Sequence, residues 1–155
     1  MLETGFPMPD IALEDTAGKA VRLADYRGTE NVLLYFMRST GCPVCNGHVK
    51  DLAGRAADLA AAKVRVLVAV PEGRAEAGAW RKKRALPFQV VTGRRGTPHE
   101  AVGLVKKVFG ALQQSGSLLI DRDGVIRHAH AATMPVNGYD KKGIAKAVDD
   151  LLRVR

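Results

Sequence analysis

At 155 residues the chain is long enough for one domain with its own core and too short for two comfortable ones, so a single domain over 1–155 is expected. Hydrophobic residues at 46% and charged residues at 26% exclude a disordered chain, and no apolar run approaches the roughly 20 residues that span a bilayer. The formal charge is +8, yet the basic residues are scattered and aromatics make up only 5%, none of them interleaved with the basic groups as a stacking platform requires, so no nucleic-acid partner is expected.

Met1-Leu2-Glu3-Thr4-Gly5 lacks the basic-then-apolar layout of a secretory signal, and a cytoplasmic location is the corresponding expectation. Ile11-Ala12-Leu13-Glu14 alternates apolar and polar residues, meets the turn cluster Asp15-Thr16-Ala17-Gly18, and alternates again over Ala20-Val21-Arg22-Leu23, which predicts a short hairpin. Asn31 to Met37 is a continuous apolar run, the pattern of a strand buried on both faces. Val49, Leu52, Ala53, Ala56, Leu59 and Ala60 then follow the spacing of one apolar helix face, with Pro43 suited to its first turn.

Val64 to Val70 predicts a second buried strand stopped by Pro71. Arg74 to Leu86 suits a helix ended by Pro87, and Phe88 to Val91 a short strand. A further helix is predicted over His99 to Val108, whose Val102, Leu104, Val105 and Val108 could serve either the core or an apolar surface for a homodimer. Ser117 to Ile120, the turn Asp121-Arg122-Asp123-Gly124 and Val125 to His130 predict a β-hairpin, and a closing helix runs from Lys141 to Leu152. The order describes an α/β fold: a mixed central sheet with helices on both faces and an N-terminal hairpin extension.

The chain has only two cysteines, Cys42 and Cys45, in the order Cys-Pro-Val-Cys. A reducing cytosol argues against a permanent staple, and so small a disulfide ring would add little stability. A buried strand running into Cys-x-x-Cys at a helix start suits thiol redox chemistry, because amide donors and the helix macrodipole favour the thiolate there. Arg38 and Thr40, just upstream, offer a cation and a hydroxyl donor to support that thiolate. Zinc needs four ligands, and His48 supplies at most a third; His128 and His130, which share one face of a strand, could in principle complete a site, but isolated histidines are usually polar surface or satisfied core groups, so no metal and no cofactor are expected. Covalent haem is excluded because Asn46, not histidine, follows Cys45.

Phe6-Pro7-Met8-Pro9-Asp10 through Tyr26-Arg27-Gly28, Leu34-Tyr35-Phe36 with its loop, and Leu119-Ile120-Asp121-Arg122-Asp123-Gly124-Val125-Ile126 together resemble the redoxin superfamily. This is the alkyl hydroperoxide reductase and thiol-specific antioxidant group with its peroxiredoxin-like relatives, and the resemblance implies a thioredoxin-like fold. Phe36-Met37-Arg38-Ser39-Thr40-Gly41-Cys42-Pro43-Val44-Cys45, with Gln113-Gln114-Ser115-Gly116 ahead of the late strand, is similar to a peroxiredoxin-like branch carrying its own Cys-x-x-Cys. Two departures matter. Counting from Phe36 as in peroxiredoxins makes Cys45 the attacking cysteine and puts Cys42 in the usual threonine slot, whereas thioredoxin-type logic makes the first, more exposed cysteine, Cys42, the attacker; both assignments stand open. Ser115 occupies the slot of the customary peroxiredoxin arginine, and Arg38 is the candidate to replace it.

The resemblance implies a thiol-dependent peroxidase in which one cysteine is oxidised to a sulfenic acid and the other condenses with it, with a hydroperoxide as substrate and a thioredoxin-like protein as reductant. A thiol-disulfide oxidoreductase acting on protein disulfides is the alternative, and a non-catalytic redox sensor a third.

Overall fold

The computed structural model describes residues 1–107, 110 and 112–153. Among the described residues seven strands, β1 (Leu13–Asp15), β2 (Ala20–Val21), β3 (Asn31–Phe36), β4 (Val64–Ala69), β5 (Gln89–Gly93), β8 (Ser115–Ile120) and β9 (Ile126–Ala132), form one mixed sheet in the order β2-β1-β5-β4-β3-β8-β9, while β6 (Lys106–Lys107) and β7 (Leu112–Gln113) pair apart from it. Strand β3 (Asn31–Phe36), flanked on both sides within the sheet, is buried at every residue, as the unbroken apolar run requires. β3 lies parallel to β4 (Val64–Ala69), with Tyr35 opposite Val68, and antiparallel to β8 (Ser115–Ile120), with Tyr35 opposite Ser117. β5 (Gln89–Gly93) continues the parallel set and receives the predicted N-terminal hairpin, β1 (Leu13–Asp15) and β2 (Ala20–Val21), along its free edge.

At the opposite edge β8 and β9 (Ile126–Ala132) form the late hairpin. Gly124, at φ 82°, takes the left-handed conformation its turn needs, and Asp121 Oδ1 accepts the amides of Asp123 and Val125 at 2.9 and 3.0 Å.

Alternation along the strands divides the core into two layers. Leu33, Tyr35 and Met37 pack under α1 (Pro43–Gly54), α2 (Ala56–Ala61), α3 (Arg74–Arg84) and α5 (Lys141–Arg153). Leu34 and Phe36 face the other layer, built from Met8, Ile11, a 3-10 turn at Leu23–Tyr26 and the segment around the short helix α4 (Pro98–Ala101). Helices cover both faces, but all the longer ones lie on the face that carries the cysteines. Among the described residues no helix is long and apolar enough to cross a membrane.

Two helix predictions need correction. The apolar stripe from Val49 to Ala60 is not one helix: the chain breaks at Arg55, whose ψ of 7° leaves the helical range just after Gly54. The helix predicted over His99 to Val108 is a single turn. Thr97 caps its start by accepting the Glu100 amide at 3.1 Å, and Gly103, at φ 81°, ends it. The chain then drops Leu104 into the core and forms a small ribbon, β6 (Lys106–Lys107) with β7 (Leu112–Gln113). Val102 and Leu104 are therefore core residues, Val105 is 45% exposed, and Val108 lies outside the described residues.

Candidate active site

The end of β3 delivers Arg38 to Gly41 as a short loop, and α1 begins with Cys42 as its cap. Cys42 holds an extended conformation, φ −76° and ψ 113°, and its Sγ accepts the backbone N–H of Cys45 at 3.3 Å. This is the geometry of a serine or aspartate cap with sulfur in the oxygen's place. Pro43 occupies the first helical position, where no amide donor is needed.

The first cysteine is not the more exposed one in any useful sense: Cys42 is 2% exposed and Cys45 0%. Their surroundings separate them instead. Burial pushes the Cys42 thiol up, but hydrogen bonds from the Cys45 side chain and amide, together with the Arg38 guanidinium, outweigh it and hold the thiol below its ordinary value. Cys45 is pushed up to about 11 by burial and by the neighbouring Cys42 sulfur, against lowering contributions from the Arg38 amide and the Tyr35 hydroxyl.

Of the two residues expected to support the thiolate, Arg38 lowers the Cys42 thiol, and its Nε is buried with no hydrogen-bond partner among the described residues. Thr40 does something else. Its amide and hydroxyl both donate to Glu72 Oε2, at 2.8 and 2.9 Å, so it ties the loop to the turn after β4 rather than to a sulfur. Ser115 is buried, its hydroxyl has no partner, and a Cβ on Gly138 would collide with its Oγ. Gly138, which ends the turn at Pro135–Asn137, thus packs directly against this slot. Gln113 and Gln114 serve as staples: Gln113 Nε2 donates to the Leu104 carbonyl at 3.2 Å, and Gln114 Oε1 accepts the Val105 amide at 3.0 Å.

Several residues at the site escaped the sequence reading. Asn46 is buried and donates through Nδ2 to the carbonyls of Thr40 and Cys42, both at 2.9 Å, while its Oδ1 accepts the Trp80 indole N–H at 2.8 Å. It locks the loop onto the helix and couples both to α3. His99, wholly buried, donates through Nε2 to the Met37 carbonyl at 2.6 Å from the far side of the sheet. Burial holds it neutral, down at about 4, although that hydrogen bond works the other way. The Tyr35 hydroxyl lies 2.7 Å from His48 Nδ1, and its ring shares a buried cluster with Cys45. The signals for these were weak: a polar residue one turn after Cys42, and an aromatic on the strand face leading to the cysteines.

His48, considered as a metal ligand, is engaged with Tyr35, and His128 faces Asp140 on α5's side of the sheet, at 3.7 Å. Among the described residues no three His, Cys, Asp or Glu side chains gather as a metal site.

The AhpC/TSA family profile covers residues 4–129. The chain belongs to the AhpC/TSA family. Within this family it is similar to peroxiredoxin Bcp of Bacillus subtilis, with 28% identity over 129 residues, covering 79% of this chain and 81% of that one. Its fold matches the crystal structure of peroxidoxin BcpB from Mycobacterium tuberculosis with a TM-score of 0.80 at 17% identity, over 100% of this chain and 99% of that one. A peroxiredoxin-like protein from Aquifex aeolicus gives a TM-score of 0.80 at 14% identity, over 97% and 88%. Membership confirms the thioredoxin-like fold expected from the opening hairpin, the active-site strand and the late hairpin of this AhpC/TSA chain.

Proposed function

We propose that this thiol-dependent peroxidase attacks hydroperoxides with Cys42 and resolves the product with Cys45. The asymmetry of the two sulfurs carries the assignment. Cys42 accepts an amide N–H at a helix start and lies beside a guanidinium, which favours its thiolate, while Cys45 is buried and raised to about 11, which keeps it protonated until needed.

The Cys42 thiolate attacks the distal oxygen of the hydroperoxide; the O–O bond breaks, the alkoxide leaves and takes a proton to become the alcohol, and Cys42 becomes a sulfenic acid. The free Arg38 Nε–H donor is available to the peroxide or sulfenic oxygen. Cys45 then attacks the Cys42 sulfur, the S–O bond breaks, water leaves, and a Cys42–Cys45 disulfide forms. A thioredoxin-like dithiol reduces it by two exchange steps. Both sulfurs come from one chain, so the cycle is complete within a monomer.

The test is hydroperoxide consumption by the pre-reduced protein with thioredoxin, its reductase and NADPH, beside Cys42→Ser and Cys45→Ser. Cys42→Ser should form no sulfenic acid, while Cys45→Ser should form one that dimedone traps but should not turn over by disulfide formation. The reverse pattern would exchange the roles. Wild-type protein that ignores peroxide and rapidly reduces a disulfide substrate would replace the peroxidase with an oxidoreductase.

A further inference from the structure

Closing the disulfide requires Cys45 to lose a proton inside the core, where burial opposes it. Around its sulfur the polar neighbours are Cys42, the Arg38 amide and the Tyr35 hydroxyl. The amide can only donate, and Cys42 is the electrophile at this stage. Tyr35 is itself buried at the centre of the sheet, and burial together with the nearby cysteine sulfurs keeps its phenol protonated. It can accept a proton from Cys45 only by giving one away.

His48 is placed to receive it. Cys45 and His48 are three residues apart on α1 and so share a helix face, which here looks down on β3. His48 Nδ1 lies 2.7 Å from the Tyr35 oxygen, and the side chain is only half-buried, so its other nitrogen has a route to water. Burial depresses its basicity and leaves the ring neutral at neutral pH, with Nδ1 free to accept when the proton is on Nε2. The surroundings moderate this. Asp51, one turn on, favours the cationic ring, while its own charge is shared with the Tyr139 hydroxyl at 2.7 Å, Lys141 at 3.3 Å and Arg55 at 3.3 Å. The Tyr139 ring lies over His48 with centroids 5.1 Å apart and limits its rotation.

We propose that Tyr35 and His48 form the proton route that deprotonates Cys45 as it closes the disulfide. This rests on the peroxidase reading above and deepens it. In the step, the Cys45 S–H proton passes to the Tyr35 oxygen as the Tyr35 proton passes to His48 Nδ1. The Cys45 sulfur forms its bond to the Cys42 sulfur, whose S–O bond breaks; the departing hydroxide takes a proton from water, and the imidazolium returns one to water. Tyr35, packed with Cys45 in the same buried cluster, takes the catalytic role because the step exchanges a proton between its hydroxyl and the reacting thiol. His48 is a positioning and proton-holding residue acting through it.

The site supplies its own reporter. Trp80, the single tryptophan, donates to Asn46, which in turn holds the Cys42 carbonyl, so its fluorescence should respond to oxidation and to disulfide closure. Pre-reduced wild type, Tyr35→Phe and His48→Gln are mixed with hydrogen peroxide in a stopped-flow instrument, and the peroxide-dependent and peroxide-independent phases are followed from pH 5 to 9. Both variants should slow the peroxide-independent condensation on the order of a hundredfold, the usual scale of lost general-base assistance. Sulfenic acid should accumulate for dimedone, and mass spectrometry should show more sulfinic acid at equal peroxide. His48→Gln should also lose the histidine inflection in the condensation pH profile, and added imidazole should partly restore its rate.

Condensation rates and pH profiles equal to wild type in both variants, with Cys45→Ser still blocking closure, would overturn the proton route and leave the peroxidase intact. Wild-type protein that forms no sulfenic acid at all would overturn the peroxidase reading and the route with it. Tyr35→Phe keeps the buried ring and His48 is half-exposed, so both variants should fold, which circular dichroism checks.

Discussion

Replacing Arg38 by methionine isolates what the guanidinium does for Cys42. Methionine keeps much of the aliphatic bulk and removes the charge and the hydrogen bond to the sulfur. A hydrogen bond from a charged donor contributes about 1.5–3 kcal/mol where it is shielded from water. Arg38 is only half-buried, so the lower end, about 1.5–2 kcal/mol, is the working figure. That free energy corresponds to roughly a tenfold to thirtyfold smaller thiolate population at a fixed pH below the thiol's own titration. Alkylation of the Cys45→Ser background with iodoacetamide, followed against pH, should show the Cys42 titration moved upward. Sulfenic acid formation at pH 7 should slow by the same factor and recover toward the parent rate as pH rises past that titration. If Arg38 also stabilises the departing oxygen through its spare Nε–H, the recovery stops short, and the deficit at high pH measures that second role. An unchanged alkylation profile together with an unchanged peroxide rate would refute the reasoning.

Other substitutions test the frame around the sulfurs. Asn46→Leu takes the side-chain partner from the Trp80 indole N–H and the Thr40 carbonyl, while the Cys42 carbonyl keeps the residue-46 backbone N–H, and should cost about 2–3 kcal/mol, read as a melting temperature lower by roughly 5–10 °C. Gly116→Ala should destabilise by about 2–3 kcal/mol in urea titration, because the new methyl meets the His130 carbonyl oxygen across the β8–β9 pair. His99 binds its proton at about 4 in the folded chain against an ordinary 6.5, so the unfolded state takes up more protons between those values. The stability present above pH 6.5 should therefore decline as pH falls toward 4, by about 3 kcal/mol in total, and His99→Gln should flatten that part of the stability curve.

The strands around the site were legible from residue order because their signals are local. An unbroken apolar run such as Asn31 to Phe36 belongs at the centre of a covered sheet, and turn residues such as Asp121 to Gly124 admit few backbone paths. Helix ends were less legible, since a short break at Arg55 or a left-handed Gly103 interrupts an apolar spacing that continues beyond it. The place of the Cys-x-x-Cys pair at a helix start was legible for the same local reason, and sulfur there acquires an amide donor whatever lies elsewhere in the fold.

What distinguishes the two sulfurs is not local. Cys42 and Cys45 are nearly equally buried, and folding sets them apart: Cys45 and the upstream Arg38 lower Cys42, while burial and the Cys42 sulfur raise Cys45 against a small contribution from Tyr35. Thr40 shows the limit from the opposite side, for its neighbourhood in sequence pointed to the thiolate while Glu72, 32 residues away, took its hydroxyl. Residue order determined that this chain would place a dithiol at the end of a buried strand. Only the packing of α1 onto β3 decided that the Cys42 thiol is held down and the Cys45 thiol pushed up, because thiol acidity depends on the distance to charges and donors that meet across the fold.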